Sequence, residues 1–349
     1  MEFKSLAGTA GEWLKGTGPE SDVVISTRVR LARNLADFPF LTRATATQRK
    51  ELEEILRREI KAGLHKEHYY PLDGAPPLDL QFLVERHLIS RDLAASEGAR
   101  GVAFGEREAV SIMVNEEDHL RMQVLKSGLQ IQTAAEQIGK IDDLLEKRLD
   151  FAFSPTLGYL TVCPTNVGTG LRVSVMMHLP ALVISKQIEK VFYAVSKINL
   201  AVRGLYGEGT QASGNFFQIS NQITLGKSEE QIVANIASAI PQIIHYERNA
   251  REALLTQSKV KLEDKVWRAH GLLRSARVIT SEEVMDRLSD IRLGVNMGIL
   301  KDLSIKTVNE IFILTQPAHL QKMEGKELGT LQRDAARAEF IRGKLGEKV

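Results

Sequence analysis

The hydrophobic pattern changes period once along the chain, near residue 225, and that change limits the possible folds more than any other feature. Before it, short runs rich in Val, Ile and Phe and bounded by Gly, Asn or Pro predict strands. These are DVVISTRVRL from Asp22, GVAFG from Gly101, AVSIMV from Ala109, GYLTVC from Gly158, RVSVMMHL from Arg172, LAVRGL from Leu200 and NFFQIS from Asn215. Helical spacing lies between them, over 47–64, 129–149 and 185–198. After residue 225 only helical spacing remains. Ile232, Ile236, Ile240, Ile243 and Ile244 share one face, and Ser228 followed by Gln231 has the pattern of a capping box. Further helices are predicted over 281–292, 304–315 and 330–345, each opening on Ser or Thr. The pattern therefore predicts a sheet-bearing α/β unit, residues 1–258, followed by an all-helical one, residues 259–349. A chain of 349 residues exceeds what one core usually holds, which agrees with two units.

Charge narrows the function. The chain balances 46 basic against 44 acidic side chains, a net charge of +2. That balance gives no global field to gather nucleic acid, so any anion site must be local. The single cysteine, Cys163, excludes an internal disulfide framework and a multi-cysteine zinc site, and suits a reducing compartment. The first residues contain no apolar signal segment. The longest apolar run, IVANIASAIPQII, is interrupted by Asn235, Ser238, Pro241 and Gln242 and is too short for a bilayer. A cytoplasmic protein without membrane contact is expected.

Four stretches carry chemistry. In DVVISTRVRL, alternation puts Val23, Ile25, Val29 and Leu31 on one face and Ser26, Arg28 and Arg30 on the other. Adjacent arginines with no acid between them repel unless an anion joins them, although a solvated strand face fits the same residues. VNEEDHLRMQ puts three carboxylates, a histidine and an arginine into positions 116–121. CPTNVGTGLRVSV, from Cys163, holds Gly168 and Gly170 around Thr169, then Arg172; glycines of this kind point backbone amides at anions in phosphate nests, and also serve as plain turns. It is not a Walker A loop, because no Gly-Lys-Ser/Thr follows. In RGLYGEGTQASGNFFQISN, Arg203 and Glu208 flank Gly204 and Gly207, a pattern that by itself reads as a surface turn.

Together, in this order, the four stretches resemble the signature segments of the phosphagen (guanidino) kinase family: Ser-x-Arg-Val-Arg, the acidic segment, the cysteine segment and the late nucleotide loop. The resemblance implies a large antiparallel sheet flanked by helices, of the guanidino kinase and glutamine-synthetase-like type, with an all-helical C-terminal domain added. It implies ATP as phosphoryl donor, with Mg²⁺ carried mainly by the nucleotide rather than by a protein metal site. Arg28, Arg30, Arg121, Arg172 and Arg203 would grip the phosphates, and His87 of ERHLIS would lie near the base or ribose. The nucleotide segments carried over are Ser26, Thr27, Arg28, Val29 and Arg30; Arg172, Val173, Ser174, Val175 and Met176; and Arg203, Gly204, Leu205, Tyr206, Gly207 and Glu208. Glu117 and Glu208 would bind the guanidinium, with Cys163 beside it as a thiolate. Tyr206 and Gln218 depart from the basic residue and the Asp that relatives often carry there.

Members that act on small guanidino compounds carry a helical N-terminal domain ahead of the first arginine segment, whereas 25 residues precede Ser26 here and the chain runs on well past the helix that begins near Ser228. Both features resemble the branch that phosphorylates arginine side chains in proteins. That resemblance implies a site open to protein substrates presenting exposed arginines, a homodimer, an activator protein and a Clp-type unfoldase or protease as partners, and a place in protein quality control. The alternatives are a kinase of free arginine or another small guanidino compound, and a non-catalytic phosphoarginine-binding adaptor. In RDAARA, Arg333 and Arg337 lie one helical turn apart with Asp334 beside them. The family implies a phosphoarginine-sensing pocket there, whereas charge pattern alone fits an exposed helix face.

Overall fold

The computed structural model describes residues 4–204 and 213–346. Its strands are β1 (Val24–Arg33), β2 (His68–Pro71), β3 (Gly101–Phe104), β4 (Val110–Val114), β5 (Leu120–Ser127), β6 (Phe153–Ser154), β7 (Gly158–Tyr159), β8 (Leu171–His178), β9 (Leu200–Gly204) and β10 (Phe216–Asn221). Eight of them form one antiparallel sheet in the order β2-β3-β4-β5-β1-β8-β10-β9, and β6 and β7 pair separately. The helices up to the change of period are α1 (Lys4–Ala7), α2 (Ala46–Gly63), α3 (Pro77–Glu85), α4 (Arg91–Ala95), α5 (Ile131–Glu146), α6 (Pro180–Ile184) and α7 (Ile188–Lys197). After it come α8 (Glu229–Gln257), α9 (Lys259–Ser275), α10 (Ser281–Asn296), α11 (Ile305–Leu314), α12 (Pro317–Glu324) and α13 (Thr330–Gly346).

One face of the sheet is dry. Val29 and Leu31 of β1 and Val173 and Val175 of β8 pack there against α2, α5, α7 and α8. Ile236 and Ile240 of α8 are fully buried in that layer, each contributing about 1.5–3 kcal/mol. Ser228 starts α8 with the expected capping box: its Oγ accepts from Gln231 N at 3.2 Å, and Gln231 Oε1 accepts from Ser228 N at 3.0 Å. On the other face, Trp13, Leu14, Leu125, Met176 and Phe216 form a second core with α9, α10, α11 and α13. The C-terminal helices therefore cover part of the very face that holds the polar residues of β1.

Four departures from the sequence reading have local causes. Val24 pairs with Met177 and Ser26 with Met176, so Ile25 is an extra, bulged residue. It joins Leu125 and Met176 in the second core rather than Val29 and Leu31. GYLTVC forms a strand only at Gly158–Tyr159, because the Val162 amide is taken by the Asp118 carboxylate. The helix predicted over 185–198 begins later, as α7, since Lys186 at φ 57° ends α6 first. The central strand β5 went unpredicted, although Leu120, Met122 and Val124 alternate as a strand should.

Candidate active site

Strand alternation collects cations on the face opposite the dry core. Arg28 and Arg30 lie there on β1, Arg30 stands in register with Arg172 of β8, and Ala32 with Arg121 of β5. On the far side of β8, Arg203 stands opposite Gln218. Arg28 Nη2 donates to Gln218 Oε1 at 2.8 Å, and Arg172 Nη2 to Ser220 Oγ at 3.1 Å, both neutral acceptors. Burial, then Arg121 and Arg172, lower the Arg28 pKa to about 10. Burial, then Arg28, Arg121 and Arg172, push Arg30 well below its ordinary value, and Glu116 offsets only part of this. Arg30 Nε is buried without a hydrogen-bond partner among the described residues. Crowded, buried cations of this kind are costly until an anion arrives, and planar guanidinium forks match phosphate oxygens.

Arg28, Arg30, His87, Arg203 and Gly204 line one cleft of about 610 Å³, within the usual size of small-molecule sites. His87 has a left-handed backbone (φ 59°), and its ring stands edge-on to Trp13 at 4.7 Å. Burial, then Arg28 and Arg91, lower its pKa to about 3, so the imidazole is neutral at physiological pH. Arg91 and Asp92 also line the cleft, and the sequence reading missed them. The available signal was Ser90, whose Oγ caps α4 by accepting from Leu93 N at 3.0 Å.

The acidic segment is the turn between β4 and β5, and its residues divide the work. Asp118 Oδ1 accepts from Asn34 Nδ2 at 2.6 Å and from Val162 N at 2.8 Å. This ties the turn carrying Glu117 to the loop carrying Cys163. His119 is fully buried; its Nδ1 accepts from Leu35 N at 3.0 Å, and burial lowers its pKa to about 4. Glu116, also missed, accepts from Arg121 Nη1 at 2.6 Å, while Glu117 stays half-exposed with its carboxylate 3.9 Å from the same nitrogen. Burial, then Asp118, raise the Glu117 pKa above the usual carboxylate range despite Arg121. Cys163 is a free, half-buried thiol with Sγ 3.0 Å from Thr165 Oγ1. Neither Glu117 nor Cys163 lines the 610 Å³ cleft.

Other predicted residues lie elsewhere. Thr27, Val29, Val173 and Val175 belong to the opposite strand parity: the valines lie in the dry core, and Thr27 Oγ1 donates to Gly128 O at 2.7 Å. Their side chains support the arginine face without reaching it. Ser26 and Ser174 are buried on that face, with Ser174 Oγ 3.3 Å from Arg28 O, and Met176 joins the second core. The glycine loop is not an open nest: Gly168 N donates to Tyr159 O at 3.2 Å and Gly170 N to Asn166 O at 3.0 Å. Gly170 (φ 63°) is required for close approach, since an added Cβ would stand 2.6 Å from Ala32 O. Leu205, Tyr206, Gly207 and Glu208 lie outside the described residues. In the tail, Arg337 is buried and ion-paired with Asp334, while Arg333 Nη1 donates to Leu328 O at 2.8 Å. Arg337 is therefore satisfied internally rather than standing with Arg333 on an exposed helix face.

Residues 48–250 match the family model of the ATP:guanido phosphotransferase C-terminal catalytic domain, and residues 259–348 that of the protein-arginine kinase McsB C-terminal domain. The chain is 49% identical over 347 residues to a protein-arginine kinase of Halothermothrix orenii, covering 99% of each. It is 51% identical over 351 residues to one of Symbiobacterium thermophilum, again covering 99% of each. Among solved structures, the duplicated taurocyamine kinase from Schistosoma mansoni with bound transition-state analogue components aligns with a TM-score of 0.61 at 29% identity, over 67% of this chain and 34% of that one. With both family models matched along the chain and near-complete alignment to two such kinases, the protein belongs to the ATP:guanido phosphotransferase family and, within it, to the protein-arginine kinases.

Proposed function

We propose that the protein transfers the γ-phosphoryl group of ATP to the guanidinium of arginine side chains in proteins. The observation that carries this reading is the array of Arg28, Arg30, Arg121 and Arg172 across three neighbouring strands, with Arg121 ion-paired to Glu116 at its edge. Such an array holds a polyphosphate and spreads positive charge over the transferring phosphoryl oxygens. Mg²⁺ would be carried on the nucleotide, whose phosphate oxygens are the ligands this hard cation prefers.

Glu117 holds the acceptor guanidinium in line with the γ-phosphorus, and Glu208 is assigned the same task. A guanidinium nitrogen forms the P–N bond as the bond to the ADP oxygen breaks, and the proton leaves that nitrogen as its lone pair is committed. A carboxylate of pKa about 4 cannot remove a proton from a guanidinium of pKa about 13 beforehand, so orientation matters as much as basicity. The raised pKa of Glu117 strengthens it as the proton acceptor at that moment. Cys163, tethered near Glu117 through Asp118 and Val162, supplies an orienting group at the acceptor end.

Arg333, Asp334 and Arg337 are assigned to phosphoarginine binding, which requires the Arg337–Asp334 pair to open. A homodimer forms through the helices after residue 258, supported by exposed Val260 and Trp267 seven residues apart on α9. An activator protein, a Clp-type partner and a cytoplasmic setting complete the reading; among the described residues no helix is long and apolar enough to cross a membrane. The test is incubation of a mixed unfolded protein substrate with ATP, followed by mass spectrometry without acid, because P–N bonds are acid-labile. Phosphate on arginine supports the reading; turnover of free arginine with no labelled protein overturns it.

A further inference from the structure

Besides the side formed by residues between Gln81 and Asp92, the 610 Å³ cleft has two unlike walls. The sheet contributes the cationic one, Arg28, Arg30 and Arg203. The other comes from the C-terminal helices: Ser281, Glu282 and Met285 at the start of α10, Phe312 and Ile313 at the end of α11, and Gln316 just before α12. A polyphosphate has no use for a thioether, a phenyl ring and an aliphatic chain, whereas a purine needs an apolar surface with a few polar groups at its edge.

One buried side chain fixes this second wall. Arg337 of α13 donates through Nε to Thr315 O at 2.8 Å and through Nη1 to Ile279 O at 2.8 Å. Thr315 immediately precedes Gln316, and Ile279 lies two residues before Ser281. Gln316 Nε2 reaches Met285 Sδ at 3.8 Å and joins the two segments again at the cleft. A single guanidinium thus sets the spacing of two loops from different helices, and Asp334 balances its charge.

We propose that the base and ribose of the nucleotide are received by the C-terminal helices, over Met285, Phe312 and Ile313 and beside Ser281, with Arg337 as the positioning residue that fixes this wall. The proposal rests on the phosphoryl-transfer reading, and it makes the C-terminal helices part of the nucleotide site in addition to their carrying the phosphoarginine-binding residues.

The test compares two probes, each with Mg²⁺, by calorimetric titration: ATP, and inorganic tripolyphosphate, which lacks base and ribose. Ser281→Trp fills the half-exposed mouth of the base end and is expected to weaken ATP binding at least tenfold while leaving tripolyphosphate unchanged. Arg337→Lys keeps the charge but cannot hold both carbonyls in one plane, and is expected to weaken ATP severalfold, again sparing tripolyphosphate. Arg30→Ala should weaken both probes. ATP affinity unchanged in Ser281→Trp, or tripolyphosphate affinity falling in parallel with it, overturns the proposal. If the wild-type protein binds neither probe, the phosphoryl-transfer reading itself fails, and this proposal with it.

Discussion

Glu116 and Glu117 are neighbours in the chain yet titrate in opposite directions. Burial acts to raise both, but for Glu116 the pair with Arg121 and hydrogen bonds from Ser90 and the Glu117 amide together outweigh it, whereas Asp118 adds to it for Glu117. Glu117→Gln is therefore expected to lower turnover about a hundredfold or more while changing the ATP dissociation constant little, because it holds the acceptor rather than the phosphates. Wild-type turnover should rise with pH through the ionisation of Glu117, above the ordinary carboxylate range, and the variant should lose that limb; a retained limb assigns it to another group. His119 gives a second residue-scale prediction. Its folded pKa of about 4 lies below the unfolded value of about 6.5, so only the unfolded chain takes up the proton as pH falls between them. The stability this confers is complete above about pH 6.5 and is lost toward pH 4, on the order of 3 kcal/mol in all. Denaturant titrations of wild type and His119→Gln from pH 8 to pH 5 should show the wild type losing ground at low pH. Buried carboxylates with raised pKa, such as Asp142 and Glu247, act in the opposite direction and cancel in that comparison.

At the scale of elements, the site depends on a turn and a loop being held together. Asp118 does this by accepting two hydrogen bonds, from Asn34 and from Val162. Asp118→Ala removes the acceptor of the part-buried Val162 amide and leaves Asn34 Nδ2 only its bond to Leu160 O, at an expected cost of about 1–3 kcal/mol in denaturant unfolding. Turnover should fall too, since Glu117 and Cys163 lose their common tether, while ATP binding on β1 and β8 is retained. Loss of stability with unchanged kcat would separate the tether from catalysis. The bulge at Ile25 works at the same scale: one inserted residue sends Ile25 to the C-terminal helices while Val29 and Leu31 keep the sheet on its dry core.

For the whole molecule, the C-terminal helices close one side of the cleft and present α9 outward. Trp267 is 53% and Val260 78% exposed, an unusual surface for an otherwise well-packed helix. Trp267→Glu is expected to shift sedimentation equilibrium from dimer to monomer with the circular dichroism spectrum unchanged; a wild type that sediments as a monomer would remove the dimer from the proposal.

The elements and the chemistry were largely legible because both are local properties. Alternation at Arg28 and Arg30, the isoleucine face of α8 and the Ser228 box depend on backbone geometry over a few residues, and four short segments in order carried the family. The strand parity that puts Val29, Val173 and Val175 behind the arginines is legible in the same way. What only the tertiary structure decided are contacts between distant residues: Arg28 with Gln218, 190 positions away, and Asp118 with Val162. Arg337 shows the reason most plainly. Its sequence neighbours mark an exposed charged helix face, yet packing of α13 against α9 and α11 buries it on the carbonyls of Ile279 and Thr315. A buried guanidinium takes whatever acceptors the neighbouring elements offer, and those are set by how the helices pack, not by the spacing of charges along one of them.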